Sequence, residues 1–250
     1  MNRLFWIILS AVFAIFLWQA LVLVTGAPSF ILPTPFKVLQ TLVASRELIA
    51  WHAAITITEV LVGLVIGSVL GALTALQLMI FPWLRRLVMP IMVFSQAVPV
   101  FALAPLLTLW FGYGIWSKVL MAVLIIYFPV ASNFLDGLRN THPGYLDLAR
   151  TMRANPWQVL FRIRLPAALP NLGSGLKLAS VYAPIGAIIG EWVGASNGLG
   201  YLMLLANGRA KIDLMFASLF VLAAFTVLLH LAVSWWANRL SERATGYSAG

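Results

Sequence analysis

The sequence predicts an all-α, polytopic membrane protein with about six transmembrane helices. Three observations carry this reading. Of the 250 residues, 62% are hydrophobic and 9% are charged, against about 45–50% and about 25% in a soluble globular domain. Mean hydropathy is +0.97. The apolar residues also fall in runs of about 20 or more, the length that crosses a bilayer core as a helix. These numbers exclude a soluble enzyme, a soluble binding module and a disordered chain. Six spans with short loops use most of the sequence, so residues 1–250 are read as one transmembrane domain. The sequence contains no cysteine, which removes disulfide, iron–sulfur and thiol chemistry.

The elements follow in order. Arg3 precedes a first span near residues 4–24, too long for a signal-peptide core and without a clear cleavage site. A Pro-rich loop follows, with a short interfacial helix over Phe36–Ala50. The second span covers residues 54–81. Pro82-Trp83-Leu84-Arg85-Arg86 makes a turn into a third span, 87–111, interrupted by Pro90, Pro99 and Pro105. Gly112-Tyr113-Gly114 turns the chain into a fourth span, 115–135. Residues 136–170 are polar, basic and amphipathic. The fifth span, 172–193, contains Pro184, and a Gly-rich stretch leads to the sixth, 214–236.

Orientation follows from the lysine and arginine bias. With both termini in the cytoplasm, eleven of the sixteen basic residues face inside. Lys37, Arg46, Lys118, Arg209 and Lys211 face outside. Trp235 and Trp236 then sit at the inner interface, as an aromatic belt requires. Because the basic residues follow membrane sidedness, the net charge of +9 does not point to nucleic acid.

The 136–170 loop is the most informative stretch. Leu146, Ala149 and Met152 recur at helical spacing in one short helix. Asn155-Pro156-Trp157-Gln158 has the grammar of a second helix start: a capping Asn, a Pro at the first helical position and a Gln that can reach back. Pro166 and Pro170 are expected to end that helix before the next span. Such a shelf suits docking of a protein, and a basic amphipathic loop can equally lie on membrane lipid.

A family resemblance enters at these residues. Asp147-Leu148-Ala149-x3-Arg153-x9-Ile163-x-Leu165-Pro166 resembles the EAA loop of ABC-importer permeases, whose pattern is E-A-A-x3-G-x9-I-x-L-P. Asp147, Leu148 and Arg153 depart from the pattern, and the spacing is kept. The stretch from Pro99 to Lys118 looks like the nitrate/sulfonate/taurine-type branch. Gly190-Glu191-Trp192-Val193-Gly194 with Gly198 to Met203 looks most like the thiamine-precursor pyrimidine permeases. The resemblance implies that Asp147, Ala149, Arg153, Asn155, Trp157, Ile163, Leu165 and Pro166 couple the chain to an ATP-binding cassette ATPase. It also implies an extracytoplasmic solute-binding protein and a second permease copy, in an inner-membrane importer of a thiamine-precursor pyrimidine, or alternatively of sulfonate, taurine or nitrate.

Within the spans, Glu191 is the sharpest residue. A carboxylate in a bilayer costs about 2.5–3.5 kcal/mol on insertion scales, so it faces a cavity, a partner or the interface. Either a pathway role or a tie to the amides of the Gly loop fits. Glu59 is similar. Pro184 removes a helical hydrogen bond in mid-membrane, which makes it and Tyr182 pathway candidates. Gly63, Gly67 and Gly71, and Gly186, Gly190 and Gly194, mark close helix packing.

The chain carries no phosphate-binding loop, so ATP hydrolysis is expected on a separate subunit and the chain itself is not an enzyme. His52, His142 and His230 lack metal-ligand spacing, and no cofactor is expected. An ion-gradient-driven secondary transporter is the alternative class; it would need an intramembrane relay or inverted repeats. An intramembrane enzyme would need paired catalytic groups at matched depth, and none are evident.

Overall fold

In the computed structural model the backbone is described for residues 3–245 and side chains for residues 5, 6 and 9–242. The two extreme termini, whose cytoplasmic placement the charge bias suggests, lie outside these. Every regular element among the described residues is a helix.

The first helix, α1 (Arg3–Thr25), ends at Gly26, whose φ of +60° suits glycine. Thr34 caps α2 (Pro35–Ala44) by accepting from the Lys37 amide, with Pro35 in its first turn. The expected helix over Phe36–Ala50 is therefore split. It stops at Ser45, and the next helix, α3 (Arg46–Ile80), has already begun, eight residues before the expected start of the second span. The polar residues Arg46, Glu47 and His52 marked the edge of the bilayer, not the end of a helix. With 35 residues and a length of about 52 Å, α3 exceeds the hydrocarbon thickness.

The third span departs most from expectation. It is not one helix but two, α4 (Pro82–Ala97) and α5 (Val100–Phe111), bent by 100° at Val98-Pro99. Pro99 cannot donate to the ladder, and the residue before a proline is pushed out of helical geometry. Val98 accordingly has φ −79° and ψ 122°. Pro90 and Pro105, by contrast, lie inside helices.

The fourth span is α6 (Ile115–Arg139). The loop that follows contains α7 (Pro143–Thr151) and α8 (Pro156–Val159). A π-helical turn over Leu160–Arg164 leads directly into α9 (Leu165–Gly194), so Pro156–Gly194 is one 39-residue helix. Pro166 and Pro170 thus do not terminate the loop helix. A widened turn lies just upstream, where the Leu165 amide bonds to Leu160 O. The helix of the fifth span therefore begins within the 136–170 loop rather than at residue 172. Next come the short apolar α10 (Leu199–Gly208) and the long α11 (Ile212–Thr245). Four helices, α3, α6, Pro156–Gly194 and α11, are long and apolar enough to cross a membrane. The bent α4–α5 pair is apolar enough to count as a fifth if its two halves act as one span, and α1, of which Leu9–Thr25 is a shorter apolar helix, stands where the first span is expected.

At the centre α6 is sandwiched between α3 and α9, and α11 packs on the far side of α9. Glycine spacing explains this. Gly63 and Gly67 of α3 lie against Ala122 and Ile126, and Gly71 against the backbone near Tyr127 and Ala131. Gly186 and Gly190 of α9 lie against Ala122 and Lys118. Gly194 instead faces Thr108 and Tyr113 of the α5–α6 corner. Small residues bring the backbones close where lipid supplies no hydrophobic drive. A methyl at Gly186 would stand 2.6 Å from Ala122 Cα, a backbone atom that cannot step aside. Gly186→Ala should therefore destabilise the helical core by about 1–3 kcal/mol. Gly208→Ala, where nothing lies within 4 Å, should be neutral or better. Thermal unfolding in detergent, followed by circular dichroism, checks the contrast.

Candidate functional site

Two regions gather functional groups, one on the 136–170 loop and one at the opposite end of α9.

The loop is built from strong local signals. His142 Nδ1 accepts from the Gly144 amide at 3.1 Å, and Pro143 opens α7. Asn155 and Gln158 form the full capping box: Asn155 Oδ1 accepts from Gln158 N at 2.8 Å, and Gln158 Oε1 from Asn155 N at 2.9 Å. Between the two helices Arg153 has φ +54°. This is the left-handed geometry natural to the glycine of the EAA pattern, adopted here by an arginine. The Ala154 amide closes the turn onto Ala149 O at 2.9 Å.

These helices leave a groove of about 800 Å³ between them, lined by Tyr145, Leu148, Met152, Arg162, Ile163 and Pro166 among others. Ala149 is only 4% exposed and forms the floor. Tyr145, Leu148, Met152, Trp157 and Phe161 are all exposed, with Trp157 stacked on Phe161 at 5.9 Å. So much apolar surface on a polar loop marks an interaction surface. Asp147 pairs with Arg150 at 2.8 Å, both well exposed, so the pair adds little stability. Ile163, Leu165 and Pro166 are half-buried at the junction with the span. Sequence reading missed Arg164 as more than a charge: its Nη1 donates to Leu138 O at 2.8 Å. It ties the loop to the end of α6.

At the other end of α9, Glu191 is 1% exposed. Thr56 Oγ1 donates to its Oε1 at 2.6 Å, and the Gly200 amide donates to its Oε2. Thr56 Oγ1 accepts in turn from Leu199 N at 2.8 Å, and His52 Nδ1 accepts from Gly198 N at 3.0 Å. The first amides of α10, which lack partners in their own helix, are thus held by α3 and α9. A side chain at Gly198, with φ +107°, would run into the Glu191 carboxylate. Lys118, only 2% exposed, donates to Tyr113 O, Gly114 O and Gly194 O at 2.6, 3.0 and 3.2 Å. It caps the C-terminus of α9, where a cation is favoured. The charge count assigned it a side of the membrane and no partner. Glu59 is buried near Glu191 and Lys118, and its Oε2 has no protein partner.

The four pathway candidates therefore divide. Glu59 and Glu191 come together. Tyr182 stands about two and a half turns away along α9, on an open stripe with Leu178, Val181 and Ile185. Pro184 is buried on the packed side. Among the described residues no cluster of three or more His, Cys, Asp or Glu could hold a metal.

Residues 63–246 match the family described as binding-protein-dependent transport system inner membrane component. The chain belongs to that family. A probable ABC transporter permease protein of Haemophilus influenzae is 48% identical over 89% of this chain and 91% of its own length. The formylaminopyrimidine transport permease protein ThiX of Halalkalibacterium halodurans is 37% identical, covering 90% of each chain. Among solved structures, an inward-facing MetNI methionine ABC transporter chain superposes with a TM-score of 0.68 at 20% identity, covering 79% of this chain and 98% of that one. The permease thus shares the all-α importer fold. It is a transport subunit, with ATP hydrolysis on a separate subunit.

The cluster around Glu191 yields a test. Thr56→Val removes the donor to Glu191 and the acceptor for Leu199 N together, and should cost about 2–4 kcal/mol. Thr56→Ser should restore most of it. Unfolding in detergent checks this, alongside limited proteolysis near residue 197.

Proposed function

We propose that this permease couples to its ATPase through the 136–170 loop and imports a thiamine-precursor pyrimidine or closely related nitrogen heterocycle. Membership in the family makes the chain the inner-membrane permease of an ABC importer for a small solute, working with an ATPase and a solute-binding protein. The observation that carries the coupling role is the groove with its exposed apolar rim at the EAA positions. ATP-driven closure of the ATPases favours one packing of the spans over the other, and hydrolysis resets it.

The substrate reading rests on likeness. One relative is a permease for formylaminopyrimidine and another, 35% identical, for riboflavin. Both solutes are nitrogen heterocycles. Permeases for aliphatic sulfonates and taurine stand at 29%, which makes those solutes, with nitrate, the second choice. A homodimer is the working assembly. Tyr182 on the open stripe of α9 lines the pathway. Pro184 shapes that helix behind it. Glu191, with Glu59, acts from its buried position by holding α10 at the outer gate. The loop, and with it both termini, is cytoplasmic, and residues 1–250 act as one transmembrane domain. Membrane lipid surrounds it, and nucleic acid has no part.

Two measurements test this. Asp147→Arg should leave the permease folded but lower substrate-stimulated ATPase activity of the reconstituted complex at least about tenfold, since it sets a like charge against Arg150 and the groove rim. A cysteine at exposed Leu148 should cross-link to the ATPase, and one at buried Ala149 should not. Unchanged ATPase coupling in Asp147→Arg would remove the loop from this role. Uptake of labelled formylaminopyrimidine, competed by unlabelled pyrimidine and not by taurine, checks the substrate. The reverse competition would select the sulfonate reading.

A further inference from the structure

Three arginines meet at the loop end of the broken span. Arg85 and Arg86 stand in the first turns of α4, and Arg139 in the last turn of α6. Together they line a cleft of about 680 Å³. None makes an ion pair: the one ion pair among the described residues is Asp147–Arg150. Asp136, one turn before Arg139, is exposed and makes no ion pair with it. The N-terminus of α4 has no acidic residue and no side-chain cap, so its dipole adds to the positive field.

The rest of the cleft is apolar. Met89, Val93 and Phe94 continue its wall along α4, and Phe94 lies about 12 Å from Arg86 along the axis. Phe94 is 70% exposed, and Met92 is the one buried residue of α4. Trp83, also exposed, stands beside the arginines where an interfacial aromatic belongs. The cleft therefore has a cationic mouth at the membrane surface and a greasy wall reaching toward the bilayer centre.

We infer that this cleft binds an anionic phospholipid, with the headgroup phosphate on Arg85, Arg86 and Arg139 and one acyl chain along Met89, Val93 and Phe94. Guanidinium forks match phosphate oxygens bidentately, and basic pockets between spans are suited to anionic headgroups. A soluble partner would satisfy the mouth and leave the wall bare. A second copy of the same face across a two-fold axis would bring three more arginines to these three. A free phosphate would satisfy the arginines without using the wall. An amphipathic anion uses both.

The test is direct. Delipidated full-length permease in detergent is titrated with phosphatidylglycerol or phosphatidylcholine of the same chains, and retained lipid is read by native mass spectrometry. Phosphatidylglycerol should be retained about tenfold more strongly. Arg86→Gln with Arg139→Gln, both on exposed side chains, should reduce it to the phosphatidylcholine level without changing helix content. Arg150→Gln with Arg162→Gln, both on the 136–170 loop, should keep the preference, and millimolar phosphate should not displace the lipid. Equal retention of the two lipids by the native protein would overturn the assignment. So would an unchanged preference in Arg86→Gln/Arg139→Gln, or displacement by phosphate, which would make the mouth a free-anion site. A change in dimer mass without a change in lipid would give the cleft to a second copy. None of these readouts involves the ATPase, so the lipid site and the coupling loop stand or fall separately.

Discussion

The close approach of α3, α6 and α9 is the contact on which the other features depend. Inside a bilayer, apolar side chains gain little by leaving lipid for protein, so helices associate through intimate packing and polar ties. Glycines on α3 and α9 bring both backbones against α6 near Ala122. That fixes the relative height of the helices. It sets Thr56, Lys118 and Glu191, on three different helices, at one level near the end away from the 136–170 loop. At the other end it sets Arg164 beside the last turn of α6. One packing constraint thus positions both the polar cluster around Glu191 and the 136–170 loop.

The two ends are also joined by covalent geometry. The helix that begins with the capping box at Asn155 runs without interruption to Gly194. A push on the loop groove is therefore a push on the helix that carries Tyr182 and Glu191. The π-helical turn and the prolines at 166 and 170 lie where that helix leaves the loop, the place where it can bend. The end of that helix near Glu191 is held by specific hydrogen bonds to the first amides of α10. Such ties are discrete and can be exchanged as a unit, which suits an element that must sit in one of two packings.

Buried polarity is handled differently at different depths. Lys118 satisfies three backbone carbonyls at a helix end, and Glu191 satisfies two donors. Each makes good an irregular stretch of backbone that lipid could not tolerate. The broken span α4–α5 does not have this protection. Its surfaces are largely exposed, and its polar elbow residues Ser95 and Gln96 bond to Met92 O and to each other. This open span is where further partners, a second copy or lipid, find room.

The sequence by itself determined the helical membrane class, most span positions, the capping box at Asn155 and the loop grammar that leads to the family. All of these are read from local periodicity, caps and spacing. It also marked Glu191 as unusual, because a carboxylate in an apolar run stands out without any knowledge of its neighbours. It could not join Lys118 to Gly194, 76 residues away, or Glu191 to Thr56, 135 residues away. Which of Pro90, Pro99 and Pro105 breaks the third span, the 100° size of that bend, and the failure of Pro166 and Pro170 to end a helix were equally hidden. A proline states only which donor is missing. Whether the chain breaks or bends there is decided by the packing around it, and that exists only in the tertiary structure.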